Sequence, residues 1–212
     1  LLPVEDDEIS ETITKIYKKA GIKCLTNTKV TATKDNGSSV TITVENADGT
    51  QEITADTCLV AIGVAPVLPG GEQAKLTDRG WIEIDDRYQT SIPDVYAIGD
   101  ISGPPWLAHT ASFEAMQCVE GMFVEGHQVR QVDVFPGCTY SYPEVASVGK
   151  TERALKAEGI DYKVGKFPYQ ALGKAQASGE TEGFAKLLFG KEHGEVLGAH
   201  IIGENATDLI AE

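Results

Sequence analysis

Apolar residues recur at three- and four-residue steps through residues 5–20, at Ile9, Ile13, Ile16 and Ala20, behind an acidic first turn and with Lys15, Lys18 and Lys19 near the end. That spacing predicts a helix closed by Gly21, with its charges placed to suit the peptide dipole. β-Branched residues then dominate 22–32, 39–45 and 51–54. Asp35-Asn36-Gly37 and Ala47-Asp48-Gly49 separate them, which predicts strands joined by hairpin turns. The run Thr57-Cys-Leu-Val-Ala-Ile62 is almost wholly apolar and ends at Gly63, the pattern of a strand covered on both faces in an α/β sheet.

Residues 65–71 carry two prolines and two adjacent glycines and read as a linker, so a domain boundary is placed there. Polar and apolar positions alternate from Trp81 to Tyr88. A short apolar strand at 95–98 then runs into Gly99-Asp100. Ligands of α/β proteins sit at the carboxyl ends of such strands, which makes this junction a candidate site. Ala111, Ala115, Cys118, Val119 and Met122 form one face of a helix over about 110–123. From about Val132 the order changes to strand (138–148), helix (151–158), three strands (162–168, 184–189, 196–202) and a helix with Asn205 as N-cap. The expected fold class is therefore α/β, built from partial doubly wound dinucleotide-binding segments, followed by an α+β module. The expected domains are 1–65, 66–131 and 132–212.

Charge and composition narrow the function classes. The 18 Lys+Arg against 32 Asp+Glu give 18 − 32 = −14, a field that repels phosphate backbones and anionic lipid surfaces, so nucleic-acid and membrane partners are not expected. The longest apolar stretch, 57–68, is interrupted by Gly63 and Pro66 and is shorter than the roughly 18 residues of a membrane span. The chain opens Leu-Leu-Pro without an initiator Met or a leader, and is expected to be a piece of a longer protein. Cys24, Cys58, Cys118 and Cys138 fit no zinc or thioredoxin-type spacing and are expected to be free thiols. His109, His127, His193 and His200 are scattered and are read as surface or structural, and no metal site is expected. Gly-x-Gly-x-x-Gly, the phosphate-loop motif, His-Glu-x-x-His and Gly-x-Ser-x-Gly are all missing from the sequence.

One segment stands out: Pro93-Asp-Val-Tyr-Ala-Ile-Gly-Asp100, followed by Gly103-Pro-Pro-Trp-Leu-Ala-His109 and a helix. A carboxylate at Asp100 can accept hydrogen bonds from sugar-like hydroxyls. Gly99 lets a ligand approach the backbone, and the N–H groups of Leu107, Ala108 and His109 at a helix start suit a partly anionic edge. The segment resembles the second flavin-binding stretch of the two-dinucleotide disulfide oxidoreductases. Tyr142-Pro-Glu-Val-Ala-Ser-Val-Gly-Lys-Thr-Glu152, Tyr162-Lys-Val-Gly-Lys-Phe-Pro168, Gly179-Glu-Thr-Glu-Gly-Phe-Ala-Lys186 and Leu197-Gly-Ala-His-Ile-Ile-Gly203 are similar to the interface domain of the dihydrolipoamide dehydrogenase family. Residues 1–27 look like the second half of that family's NAD domain, so the resemblance covers nearly the whole chain.

The resemblance implies a homodimeric flavoprotein, with FAD and NAD as cofactors and a redox-active disulfide. Such a protein passes electrons from dihydrolipoamide to NAD and serves a lipoyl-bearing E2 component or a glycine-cleavage H protein, in the cytoplasm or the mitochondrial matrix. It implies that Gly99 and Asp100 hold the flavin's sugar-like portion, that Trp106, Leu107, Ala108 and His109 line its ring edge, and that Gly63 lies near NAD. Val64-Ala65-Pro66 stands where many members carry Arg-Arg-Pro, and Trp106 where many carry a Met-like residue. The family's Cys-x-x-x-x-Cys pair is absent here, and so is its catalytic His/Glu pair. His109 and Glu114 imitate the spacing of that pair but belong to the flavin segment, so they are not read as the base, and no catalytic residue is assigned to the chain. Two alternatives stay open: a non-catalytic dimerisation or assembly module, and a related FAD-dependent disulfide reductase. Residues 1–62 are expected to be less stable than 138–202, because a partial doubly wound sheet exposes apolar edges.

Overall fold

A computed structural model describes residues 1–68, 70, 73–131 and 134–212, in two compact units, Leu1–Gly63 and Val64–Glu212. The expected linker over 65–71 and the expected domain start at Val132 lie partly outside the described residues.

In the first unit, helix α1 spans Asp7–Lys19, close to the predicted 5–20. Asp6 caps it by accepting from the Glu8 N–H at 3.2 Å. At the other end the Ile22 N–H reaches back to the Tyr17 carbonyl and the Gly21 N–H to that of Lys18, the paired bonds that close a helix on a left-handed residue. Strands β1 (Lys29–Asp35), β2 (Val40–Asn46) and β3 (Gly49–Ala55) follow as an antiparallel meander in the order β1-β2-β3. Both predicted turns are there. The first pairs Asp35 with Val40 and is closed by Asn36 N–H to the Ser39 carbonyl.

The first unit departs from expectation at 57–62. Every strand pair among the described residues is antiparallel, and no doubly wound parallel sheet forms among them. Leu59, Val60 and Ile62 are 87%, 72% and 93% exposed, outside any strand. The reason is physical. A strand apolar on both faces holds its place only between neighbours that donate and accept along both edges, and the meander strands close on one another instead.

The second unit contains α2 (Ala108–Phe123), β4 (Gly137–Thr139), β5 (Val145–Gly149), α3 (Glu152–Glu158), β6 (Tyr162–Pro168), α4 (Gly173–Ser178), β7 (Phe184–Gly190), β8 (Val196–Ile202) and α5 (Ala206–Leu209). Its five strands form one antiparallel sheet in the order β4-β5-β8-β7-β6, the α+β module that the sequence predicts. Alternation drives the packing: Phe184, Lys186 and Leu188 of β7 are buried, as are Gly198, His200 and Ile202 of β8. Thr151 caps α3 by accepting from the Ala154 N–H at 3.2 Å, and Leu155 is buried beneath it.

Three expectations are corrected in this unit, and one helix goes beyond them. Residues 138–148 form two strands, because a turn with a cis Tyr142–Pro143 bond interrupts the run and a proline cannot donate to a ladder. Residues 81–88 and 95–98 make only the isolated bridges Leu76 to Ile82 and Gln89 to Tyr96. Around those bridges Ala74, Ile82 and Ala97 form a small core with Leu68, Ile84, Ile92 and Ile101. Asn205 precedes α5, yet it sits in the left-handed region and its side chain caps nothing. Helix α4 was not predicted, since its residues, Gly-Lys-Ala-Gln-Ala-Ser, carry too short a periodic pattern to read.

Candidate functional site

The candidate residues of the second unit meet where a sharp turn faces the start of α2. Ile98 is extended, Gly99 turns to a φ of +69°, and Gly99–Ser102 forms a single 3-10 turn. Only a residue without a side chain fits this position easily, because a Cβ on Gly99 would lie 3.1 Å from the Ala111 Cβ. The turn is braced from α2: the Gly99 N–H donates to Glu114 Oε2 at 2.7 Å, and the Ser102 hydroxyl donates to the Gly99 carbonyl at 2.8 Å. Asp100 is exposed on this turn.

Trp81 and Trp106 pack edge to face with centroids 5.8 Å apart, and the Arg79 guanidinium lies 5.8 Å over the Trp81 ring. The chain then crosses a cis Pro104–Pro105 bond, and the Leu107 N–H donates to the Pro105 carbonyl at 3.0 Å. Leu107 is extended and starts α2 without a side-chain cap, and the first turn holds no acidic residue. The first helical bond runs from the Ala111 N–H to the Leu107 carbonyl, so the N–H groups ahead of it have no acceptor within the helix. Thr110 is 3% exposed, and its hydroxyl has no hydrogen-bond partner.

This arrangement can receive an electronegative group: unsatisfied N–H dipoles at the α2 start, an unpartnered buried hydroxyl, and an exposed carboxylate on the adjoining turn that can accept from hydroxyls. His109 is exposed, and its Nε2–H donates to the Pro136 carbonyl at 2.9 Å. His109 and Glu114, similar in spacing to a catalytic pair, thus have separate partners, Pro136 and Gly99. Deeper along α2, burial pushes the Cys118 thiol and the Tyr88 hydroxyl up from their ordinary values, Tyr88 further so by the charge of Glu114. Gly63 belongs to the first unit, where it is exposed at a φ of +132° with nothing near its Cβ position.

Glu114 and Thr110 are the residues that sequence reasoning missed. A backbone N–H held by a carboxylate 15 positions away leaves no local pattern. Thr110 in the first turn of a helix reads as an ordinary polar residue until its burial is known.

The sequence profile of the pyridine nucleotide-disulphide oxidoreductases matches residues 1–115, and the profile of their dimerisation domain matches residues 135–212. The chain belongs to that family. Within the family it is a homologue of the dihydrolipoyl dehydrogenases. It is 42% identical over 214 residues to the mitochondrial dihydrolipoyl dehydrogenase of Caenorhabditis elegans, covering 98% of this chain and 43% of the relative. It is 43% identical over 216 residues to the dihydrolipoyl dehydrogenase of Rhizobium etli, covering 99% and 45%. Among solved structures, LpdA from Mycobacterium tuberculosis matches 99% of this chain and 46% of its own with a TM-score of 0.85 at 22% identity. The flavoprotein disulfide reductase RclA from Escherichia coli matches 99% and 48% with a TM-score of 0.87 at 24% identity, and both likenesses speak to fold alone. The chain spans under half the length of the relatives it matches. This disulphide-oxidoreductase family uses FAD and NAD, and the uncapped α2 start with its buried Thr110 hydroxyl fits the edge of a flavin. No described helix is long and apolar enough to cross a membrane.

Proposed function

We propose that this chain is the part of a dihydrolipoamide:NAD oxidoreductase that holds the flavin edge and carries the dimer contact. In that reading domains 1–65, 66–131 and 132–212 are distal NAD-binding, C-terminal FAD-binding and interface segments. The observation that carries it is the α2 start, where unsatisfied N–H groups, the Thr110 hydroxyl and the Glu114-braced turn at Gly99 converge within one homologous segment. A bound flavin supplies two-electron transfer between a thiol pair and a nicotinamide. The chain's own residues do the holding. The N–H groups of Ala108 and His109 face the electronegative ring edge, while that of Leu107, expected to join them, is taken by the Pro105 carbonyl; Trp106 flanks the edge, Asp100 accepts from the sugar-like hydroxyls, and Gly99 with Glu114 fixes the turn that presents Asp100. Gly63 is assigned to the NAD side.

No Cys-x-x-x-x-Cys pair stands in the 212 residues, so the dithiol step is not assigned to this chain. By itself it is expected not to reduce NAD with dihydrolipoamide. The profile match at 135–212 supports a homodimer through the antiparallel sheet domain, and a lipoyl-bearing E2 component or glycine-cleavage H protein is the partner of the whole protein. The same match favours a second reading, in which the chain as it stands is an assembly module without catalysis.

The test is titration of the purified chain with FAD, followed by quenching of flavin fluorescence. Saturable binding is expected, weakened about tenfold or more by Asp100→Ala, the loss of a hydrogen bond to a charged acceptor. Absence of any binding would leave the assembly reading, and equal binding by wild type and Asp100→Ala would remove Asp100 from the site.

A further inference from the structure

The β1–β2 turn holds an arrangement that the flavin site does not use. The chain has four asparagines, Asn27, Asn36, Asn46 and Asn205, and only Asn36 is followed by glycine. Asn36 is exposed, and its amide nitrogen donates to Thr41 Oγ1 at 2.9 Å and to Ser39 Oγ at 3.3 Å. Gly37 follows at a φ of +91°, and its N–H donates to Asp35 Oδ1 at 2.7 Å. Three chemical elements therefore stand on consecutive residues: an amide carbon open to attack, an unhindered backbone nitrogen next to it, and a carboxylate already on that nitrogen's proton. The Ser39 and Thr41 hydroxyl oxygens accept from Nδ2 and so hold the side-chain amide in place.

We propose that Asn36 is a built-in deamidation site, in which Asp35 acts as the base on the Gly37 nitrogen and the hydroxyls of Ser39 and Thr41 anchor the side-chain amide. The Gly37 nitrogen gives its proton to Asp35 and bonds to the Asn36 side-chain carbon. The bond from that carbon to Nδ2 breaks, and Nδ2 takes the proton and leaves as ammonia. Water then opens the five-membered imide at one carbonyl or the other, which leaves aspartate or an isoaspartyl linkage at position 36. Asn27 and Asn46 precede Thr28 and Ala47, and Asn205 precedes Ala206, so each has a side chain next to the nitrogen that would attack. Asn36 alone has none.

The consequence is local and directional. A carboxylate at position 36 no longer donates to Ser39 and Thr41, and it places a second negative charge beside Asp35. An isoaspartyl linkage adds a carbon to the backbone at the residue whose N–H closes the turn on Ser39. All seven residues of β1 are exposed, so the ladder to β2 is what the altered turn loosens.

The test incubates the full chain in mildly alkaline buffer at physiological temperature, follows intact mass, and locates the change by peptide mapping with enzymatic isoaspartyl methylation. Asn36 is expected to convert faster than each of the other three asparagines, by about tenfold or more, and Asp35→Ala to slow it by about tenfold, with Asp35→Glu largely restoring the rate. That expected effect lies below the usual range for a positioned base, because a carboxylate is a weak one. Conversion of Asn36 no faster than its neighbours, or an unchanged or higher rate in Asp35→Ala, would overturn the proposal.

Discussion

Strands β1 and β7 are both seven residues long and both lie in antiparallel sheets, yet their surroundings are opposite. Lys-Val-Thr-Ala-Thr-Lys-Asp of β1 is exposed at every position and pairs only with β2. Phe-Ala-Lys-Leu-Leu-Phe-Gly of β7 lies between β6 and β8 and buries Phe184, Lys186, Leu188 and Gly190. A ladder bond contributes only about 1 kcal/mol net, whereas burying a large apolar side chain contributes about 1.5–3 kcal/mol. Hydrogen bonding, with Val44 as its one buried side chain, thus shapes the first unit's meander, and burial fixes the second unit's sheet. The lysines at both ends of β1 suit its place at an edge, where charge discourages pairing with another chain.

The strongest way to break that contrast is to disturb the one charged residue inside β7. Lys186 is 1% exposed and its ammonium meets Glu152 Oε1 at 2.5 Å, while the Tyr162 hydroxyl donates to Oε2 of the same carboxylate. Replacing Lys186 with Ala removes the buried ammonium from a carboxylate that keeps the Tyr162 hydroxyl and Lys156, and should cost about 1.5–3 kcal/mol, read as a lowered denaturation midpoint. A change under about 1 kcal/mol would show that burial of apolar neighbours, and not this pair, sets the sheet. A milder form of the same perturbation is acid. The Lys186 ammonium, then the Tyr162 hydroxyl, hold the Glu152 carboxyl below its ordinary value near 4.5, against the opposing effect of burial. The folded state therefore binds that proton less tightly than the unfolded chain. The pair's contribution is whole above about pH 4.5 and fades as pH falls through the lowered value. The stability difference between wild type and Glu152→Gln should accordingly shrink on acidification below that point. A difference that stays constant with pH would contradict it.

Legibility from sequence followed the same divide between local and distant causes. Helix α1, its closure at Gly21, and strands β6 and β8 were readable because periodicity and capping act within a few residues. The start of α2 was readable from Gly99-Asp100 and the helix that follows. The strand expected at 57–62 was not, since Cys58 to Ile62 says only that apolar faces must be covered and nothing about by what. Glu114 as the brace of Gly99 was equally hidden, because the turn and the helix meet only in three dimensions. Asn205 has the composition of a cap without its geometry, since a left-handed φ turns the side chain away from the N–H groups that it would accept from.

The smallest effects belong to the meander, and they sharpen the comparison most finely. Val44 is 5% exposed and is the only buried residue of β1, β2 and β3. Removing its two methyl groups in Val44→Ala should cost about 1.5 kcal/mol. Thr33→Ala, on the exposed strand opposite Ile42, should stay within about 0.5 kcal/mol. Amide hydrogen exchange resolves both at once. If β1 is held by its ladder to β2 with only Val44 buried behind that ladder, its amides exchange by local fraying and Val44→Ala speeds them, while those of β7 and β8 exchange only with opening of the whole sheet and do not respond. Slower exchange in β1 than in β8 would reverse the ordering, and would mean that the meander is covered in solution by something that its exposed face does not reveal.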